Sequence, residues 1–394
     1  MNISENVKYI GVNDHKLDLF EGQYAVPKGM SYNSYVILDE KIAVMDTVDI
    51  GFTEEWMENL DRELMGRKPD YLIVQHMEPD HSAGIPLFLK KYPEAKIAAS
   101  PKTFEMIQQF LYGEENGAAA ENDINIRKIP VKNGEMLSLG KHMLQFLFAP
   151  MVHWPEVIMT YEQSEKILFT ADAFGKFGAL DEDEEWLDEA RRYYIGIVGK
   201  YGAQVQNVLK KAAELDIAAI CPLHGPVLKE NLAYYLDRYH TWSSYEPERK
   251  GIVIAYASIY GHTKTAALYL AEELRKQGQD EVILHDLART DMAQAVADAF
   301  CFDRLVLACS TYNAGIFPFM EDYIHRLQER NFQNRRIALI ENGSWAPMAT
   351  RVIKGMLEKS KNITYVDSTV TIWSAMKEKD KEAMGNLVRE LLRK

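Results

Sequence analysis

Short apolar runs alternate with amphipathic stretches along the first 245 positions. Residues 35–38, 41–46, 71–74 and 96–99 read as strands, and the helical-period patterns at 53–65 and 103–111 read as helices between them. Two further strands, 128–131 and 142–148, lead into Ala149-Pro150-Met151-Val152-His153. The stretch 113–125 is polar, rich in Ala and Gly, and reads as a surface loop insertion. An acidic run from Asp181 to Glu185 precedes a long helical stretch to about Leu215, and a strand at 217–220 follows. The charged, proline-containing segment Tyr245-Glu246-Pro247-Glu248-Arg249-Lys250 reads as a domain linker. Beyond it the pattern becomes regular. Apolar strands at 251–257, 304–309, 336–340 and 363–366 are separated by Gly-containing loops and amphipathic helices. That alternation predicts a doubly wound α/β domain over 250–394, preceded by a mixed strand-and-helix domain over 1–248.

Composition narrows the function classes. The chain has 394 residues, 47% hydrophobic and 26% charged, which is ordinary for a soluble globular protein of two or three domains. No apolar run is long enough for a membrane-spanning helix, and the first residues lack the pattern of a signal peptide. The net charge of −13 argues against nucleic acid or an anionic membrane as partner. Three cysteines, Cys221, Cys301 and Cys309, without a C-x-x-C pair fit a reducing cytoplasm. They are also too few for a fused iron site of four thiolates, the rubredoxin kind.

Candidate chemistry concentrates first at Gln75-His76-Met77-Glu78-Pro79-Asp80-His81, directly after the apolar run 71–74. Four potential metal ligands fall in this loop, in the pattern H-x-E-x-D-H. Three more ligand-type residues follow strands: His153, Asp172 in Phe169-Thr170-Ala171-Asp172, and His224 in Leu223-His224-Gly225-Pro226. Strand-to-loop transitions are where scaffolds carry functional side chains. A lone loop His or Asp is usually a cap or a solvated turn residue; it is their joint occurrence with the cluster that favours ligands. His15, His142, His240, His285 and His325 lack that context and read as surface or packing residues; Tyr193 and Tyr194 read as helix-face packing, with a phenol near the site as the alternative. The loop resembles the H-x-H-x-D-H loop of the metallo-β-lactamase fold, with Glu78 where the zinc hydrolases carry a second His. A carboxylate there shifts the donor set toward the mixed N/O environment of diiron centres. Two ferrous ions carry four positive charges. Glu78, Asp80 and Asp172 supply three negative ones, and one bridging hydroxide would balance the rest, avoiding the penalty of a buried net charge.

A second constellation lies in the C-terminal half. Ser258-Ile259-Tyr260-Gly261-His262-Thr263 joins a strand to a helix, and hydroxyls, a Gly turn and backbone N–H groups at a helix start make an anion cradle. It is similar to the flavodoxin phosphate loop and is not a nucleoside-triphosphate loop, which needs G-x-x-x-x-G-K-[ST]. Two more loops, Ser310-Thr311-Tyr312-Asn313-Ala314-Gly315 and Asn342-Gly343-Ser344-Trp345-Ala346-Pro347, follow later strands. In the flavodoxin-like order such loops flank the switch point where FMN binds. Tyr312 and Trp345 are loop-borne aromatics suited to stack on an isoalloxazine ring.

Together these residues resemble the flavodiiron proteins over nearly the whole chain. The resemblance implies an N-terminal metallo-β-lactamase-like αββα sandwich followed by a flavodoxin-like parallel sheet. It implies FMN and two irons: His76, Glu78 and His153 on the first, Asp80, His81 and His224 on the second, and Asp172 bridging. It further implies a cytoplasmic oxidoreductase that reduces dioxygen to water, nitric oxide to nitrous oxide, or both. The electrons would come from an external donor of the rubredoxin type. Size scaling sets the centres of two such domains about 40 Å apart, too far for efficient electron tunnelling within one chain. The family arrangement, a head-to-tail homodimer, would solve this by facing FMN of one subunit with the irons of the other. Two other readings remain at this point, a zinc hydrolase on the metallo-β-lactamase fold and a non-catalytic flavin and diiron gas sensor.

Overall fold

A computed structural model describes residues 3–111 and 124–393; the expected insertion at 113–125 lies almost wholly outside them. The chain divides into two compact units, Met1–Tyr194 with Ala203–His240, and Ile195–Gly202 with Thr241–Lys394. Among the described residues no helix is long and apolar enough to cross a membrane.

The first unit is a sandwich of two sheets. One sheet runs Val7–Tyr9, Tyr35–Ile37, Ala43–Met45, Tyr71–Val74, Lys96–Ala99, Lys128–Pro130 in spatial order. Its first two pairings are antiparallel and the rest parallel. The other sheet runs Met136–Ser138, Met143–Phe148, Ile158–Glu162, Ile167–Phe169, Ala219–Cys221. It is antiparallel except for its last pair. Tyr35, Ile37, Met45 and Ile73 from one sheet and Leu144, Phe146, Ile158 and Phe169 from the other share a single buried cluster. Full burial of one side chain of Leu or Ile size is worth roughly 1.5–3 kcal/mol, so this layer holds the sheets together. The helix Thr53–Leu64 buries Trp56, Met57, Leu60 and Leu64 on one stripe, carries Glu54 and Glu55 in its first turn, and stops at Met65 in a left-handed conformation. Two small hairpin-like pairs near the N-terminus, Val12–Asp14 with Met30–Tyr32 and Leu19–Phe20 with Tyr24–Ala25, are too short to leave an alternation in the sequence. The helical stretch expected to run to Leu215 is four pieces, Trp186–Tyr193, a π turn Tyr194–Val198, a 3-10 turn Gly199–Tyr201, and Gly202–Ala212.

The second unit is a six-stranded sheet in which a two-residue strand, Gly315–Ile316, pairs antiparallel at the side of a five-stranded parallel body. In chain order the strands of that body are Arg249–Ala257, Val282–Asp286, Phe302–Tyr312, Arg336–Asn342 and Thr364–Ile372, and their spatial order is second, first, third, fourth, fifth. All five are parallel. Helices His262–Lys276 and Glu378–Leu392 pack Leu270, Leu274, Leu387 and Leu391 into one buried cluster with the sheet. Helices Met292–Cys301 and Pro318–Glu329 bury Val296, Phe300, Met320 and Ile324. The strand Val282–Asp286 is absent from the pattern-based expectation because His285 and Asp286 break its apolar run. The segment 245–250, expected as a linker, is packed into this unit. Arg335, buried, donates from its guanidinium to the carbonyls of Tyr245, Ala299 and Phe300. Tyr245 Oη in turn donates to the Gly199 carbonyl at 2.9 Å.

Candidate metal centre and cofactor cavity

The metal-ligand candidates all sit at one edge of the sandwich because of strand direction. Met143–Phe148, Ile167–Phe169 and Ala219–Cys221 point the same way through the pairings of their sheet. Their C-terminal ends therefore deliver His153, Asp172 and His224 side by side, and the fully buried strand Tyr71–Val74 delivers the cluster loop from the facing sheet.

That loop is tied down by backbone capture. Asp46, just past the neighbouring strand, accepts the Gln75 N–H at 2.7 Å, the Gln75 side-chain amide at 2.8 Å and the His76 N–H at 3.3 Å. Pro79 opens a one-turn helix, Pro79–Ser82, which projects Asp80 and His81. Thr47 closes the far end, its N–H and Oγ1 both donating to the His81 carbonyl at 2.9 and 2.7 Å. Left-handed backbone recurs here at non-glycine positions: Asp46 (φ 54°), Met151 (φ 65°) before His153, and Ala171 (φ 49°) before Asp172. Such conformations cost of order 1–3 kcal/mol and are held where a site requires them.

The seven side chains converge as two groups, His76, Glu78, His153 and Asp172 in one, and Asp80, His81 and His224 in the other. In the first, His76 Nε2 lies 3.2 Å from His153 Nε2 and 3.2 Å from Glu78 Oε2. His153 Nε2 is 3.1 Å from Glu78 Oε2 and 2.9 Å from Asp172 Oδ2. In the second, His81 and His224 bring their Nε2 atoms to 3.0 Å, each 3.4 Å from Asp80 Oδ2. Asp172 Oδ1 turns to this second group, 3.2 Å from His81 Nε2. Ligand atoms about 2.1 Å from a common metal, at angles of 90–110°, stand roughly 3.0–3.4 Å apart, so these spacings fit metal coordination.

Hydrogen-bond accounting supports the same fit. Among the described residues, both Asp80 oxygens and Asp172 Oδ1 are buried without a well-aligned hydrogen-bond donor. Buried carboxylate oxygens left unpaired are costly unless a cation meets them. Burial alone would depress the His153 imidazole, but hydrogen bonds to Asp172 and Glu78 outweigh it and push its pKa up to about 9. His76 and His81 rise against their burial in the same way, chiefly through Asp172 and Asp80 respectively. Burial would raise Glu78 and Asp172, yet the facing imidazoles hold both below the usual carboxylate range. The pocket is thus built to attract positive charge.

Several site residues escape a sequence reading. Glu156 places Oε1 2.8 Å from His76 Nδ1. The Ser31 carbonyl lies 2.7 Å from His224 Nδ1. Trp154 sets its ring edge-on to His76 at 5.2 Å, and Phe20, Tyr32 and Tyr193 surround His224 at 5.4–6.0 Å between ring centres. Tyr193 is a buried packing residue, as its helix position suggests, and it also faces the site. Burial, then the charges of Asp172, Glu78 and Asp80, hold its phenol well above the ordinary value. The one signal for Glu156 is its place three residues after His153.

In the second unit the three named loops lie at the C-terminal ends of the first, third and fourth strands and enclose a cavity of about 480 Å³. Their residues from Ser258 to Ala346 line it except Gly261 and Gly315, and Met348 and Ser374 join them. Gly261 has φ 94°, caps the helix that starts at His262, and donates its N–H to Ser258 Oγ at 3.1 Å. Thr263 Oγ1 and Ser310 Oγ, 2.8 Å apart, join two of the loops. Trp345 and Tyr260 are about nine-tenths exposed on the rim, which leaves their faces open to a planar ligand. The volume is that of a small-molecule cofactor site, and the hydroxyl-lined helix start suits a phosphate.

Comparison with known proteins agrees with this layout. A family model described as ODP family beta lactamase matches residues 30–225, and a flavodoxin model matches residues 254–363. The anaerobic nitric oxide reductase flavorubredoxin of Vibrio vulnificus is 26% identical over 360 residues, 88% of this chain and 70% of that protein. An uncharacterized protein of Methanocaldococcus jannaschii is 27% identical, with 96% and 94% of the two chains covered. Among solved structures, the rubredoxin oxygen:oxidoreductase of Desulfovibrio gigas superposes with a TM-score of 0.90 at 24% identity, over 99% of this chain and 97% of that one. The flavodiiron protein of Giardia intestinalis gives 0.86 at 24% identity, over 99% and 95%. At these identities the structural likeness speaks for the fold, a metallo-β-lactamase-like unit followed by a flavodoxin-like one.

Proposed function

The chain belongs to the flavodiiron proteins, and on that premise we propose that it is an FMN- and iron-dependent oxidoreductase that reduces dioxygen to water, nitric oxide to nitrous oxide, or both. His76, Glu78 and His153 would hold the first iron, Asp80, His81 and His224 the second, and Asp172 would bridge. The observation that carries this reading is the split of Asp172. Its Oδ2 serves His153 at 2.9 Å and its Oδ1 serves His81 at 3.2 Å, so one carboxylate addresses both groups.

Bound FMN and a bound iron pair would each store two electrons, and the irons would add Lewis acidity and open positions for a diatomic gas. The protein's own part is positional. His76, His81, His224 and Asp172 are buried, which keeps bulk water from the donors. Trp154 and Phe20 pack aromatic rings against His76 and His224 and so line the two groups with apolar surface. In the flavodoxin-like unit, Ser258, Ile259, Tyr260, Gly261, His262 and Thr263 would seat the FMN phosphate. The loops carrying Thr311, Tyr312, Asn313, Ala314 and Gly315, and Asn342, Gly343, Ser344, Trp345 and Ala346, would edge the ring.

Electrons would enter from an external donor of the rubredoxin type, a proposal supported by the name of the Desulfovibrio gigas neighbour, a rubredoxin oxygen:oxidoreductase. The free buried thiols of Cys221, Cys301 and Cys309 favour a cytoplasmic setting. The working unit would be a head-to-tail homodimer. Anaerobic iron reconstitution followed by elemental and flavin analysis is the first test, with about two irons and one FMN per chain expected. Rapid mixing of the fully reduced protein with each gas then identifies the substrate. Stable zinc, with no iron affinity and no flavin, would return the zinc-hydrolase reading.

A further inference from the structure

The imidazoles of the metal centre are backed unequally. Glu156 is buried, and its Oε1 lies 2.8 Å from His76 Nδ1 while also accepting the Met77 N–H at 2.9 Å. Behind His224 stands a neutral acceptor, the Ser31 carbonyl, 2.7 Å from Nδ1. Behind His81 there is none among the described residues: its Nδ1 is buried without a hydrogen-bond partner there. An ionised carboxylate only accepts, so His76 must carry its proton on Nδ1, and its Nε2 lone pair is then the one aimed at Glu78 and His153. A carboxylate behind that N–H makes Nε2 a stronger donor than a carbonyl does.

We infer that Glu156 is a positioning residue that fixes the His76 tautomer and makes the His76–Glu78–His153 site the more electron-rich of the two. The inference rests on the diiron reading. Its consequence is inequivalence. The iron at His76 should be bound more tightly in its ferric state and reduced at the lower potential, because Glu78 on this site is matched by Asp80 on the other while the carboxylate behind His76 is not matched. Among the described residues no carboxylate is hydrogen-bonded to the Nδ1 of His81 or His224.

The test uses the full chain reconstituted with 57Fe and compares wild type, Glu156→Gln and Glu156→Asp. Glutamine can keep an oxygen accepting from both His76 Nδ1–H and Met77 N–H while removing the charge. Aspartate keeps the charge on a shorter stem. For Glu156→Gln, chelator competition should show one of two irons bound roughly 10–100-fold more weakly. One Mössbauer doublet should shift while the other stays, and the lower of the iron potentials should rise. FMN content should not change. Glu156→Asp should shift the same doublet by less and keep both irons. Suppose wild type holds two irons, and a folded variant at 156 shows both doublets, both potentials and both affinities unchanged. The inference is then wrong and the diiron reading stands. Equal weakening of both irons, with a lower unfolding midpoint, would also overturn it, by making Glu156 a general structural residue. A wild-type chain that takes up no iron overturns the diiron reading itself.

Discussion

His142 Nδ1 lies 2.8 Å from Asp39 Oδ2, and the other ring nitrogen lies 3.2 Å from Glu165 Oε1, in a setting where the histidine is almost completely buried. Burial alone would lower the imidazole's proton affinity, but the hydrogen bonds to Asp39 and Glu165, with the nearby charge of Glu162, raise it above the ordinary value. Asp39 shifts the other way. Burial would raise it, yet the His142 N–H, the His142 ring and the Glu40 N–H together hold it lower. The signs define a window. A raised histidine stabilises fully below its unfolded value, about 6.5, and loses that contribution as pH climbs through the raised folded value. A depressed aspartate stabilises above about 3.9 and loses its contribution as pH falls through the lower folded value. The clamp is therefore strongest between about pH 4 and 6.5. His142→Gln should destabilise the first unit by about 1.5–3 kcal/mol near pH 5.5, the range for hydrogen bonds to charged groups. Urea midpoints of the two proteins should converge as pH rises above about 6.5 and through the raised folded value of the histidine. A gap that is constant across pH would mean the ring is neutral in the clamp.

Removing the shared carboxylate should cost the centre at least one iron. With Asp172→Ala, neither His153 nor His81 retains its Asp172 oxygen. Loss of a direct ligand is expected to cost more than the roughly 10–100-fold typical of outer partners, so at least one iron should be lost. FMN should remain, because its cavity is lined wholly by residues of the second unit. Elemental and flavin analysis of one preparation decides it. Two irons and full gas reduction in the variant would rule out the bridge.

Glu78→His would recreate the nitrogen-rich first site of the zinc hydrolases. The expected outcome is a shift of metal preference toward zinc and loss of gas reduction, since zinc has no redox chemistry. Competition between ferrous iron and zinc, measured on wild type and variant side by side, reads the shift. Normal iron uptake and turnover in the variant would exclude Glu78 from the first site.

What can be read from the chain, and what cannot, follows from how local each feature is. His76, Glu78, Asp80 and His81 are legible because they stand in one loop behind an unbroken apolar strand. His153, Asp172 and His224 are legible because each follows a strand end, and the sheet pairings bring those ends together. The backing groups are not legible. Glu156 meets His76 across 80 positions, Ser31 meets His224 across 193, and an ordinary Glu or Ser carries no mark of such a role. The second strand of the flavodoxin-like unit hides because His285 turns inward to pair with Asp298 at 2.8 Å, satisfying a polar group inside a sheet. Gly199–Tyr201 and the 245–250 segment join the second unit through carbonyl contacts from Tyr245 and Arg335, which no periodicity encodes.

Electron flow gives the last prediction. If each FMN serves the irons of the other subunit, activity requires the dimer and not merely both cofactors. Gly261 sits at φ 94° at the start of the cradle helix, so Gly261→Asp puts both a strained backbone and a negative charge where the FMN phosphate would bind, and this variant should lack flavin. Asp172→Ala should lack a complete iron pair. Neither homodimer can turn over alone. In a head-to-tail heterodimer, the intact FMN of the Asp172→Ala subunit faces the intact irons of the Gly261→Asp subunit, while the two damaged sites face each other. Random reassociation after mild denaturation makes heterodimers about half the total, each with one working pair of two, so roughly a quarter of wild-type gas reduction should return. Native mass spectrometry fixes the heterodimer fraction, and activity is read on the same sample. Heterodimers at that fraction with no recovered activity would mean that electrons pass within one chain.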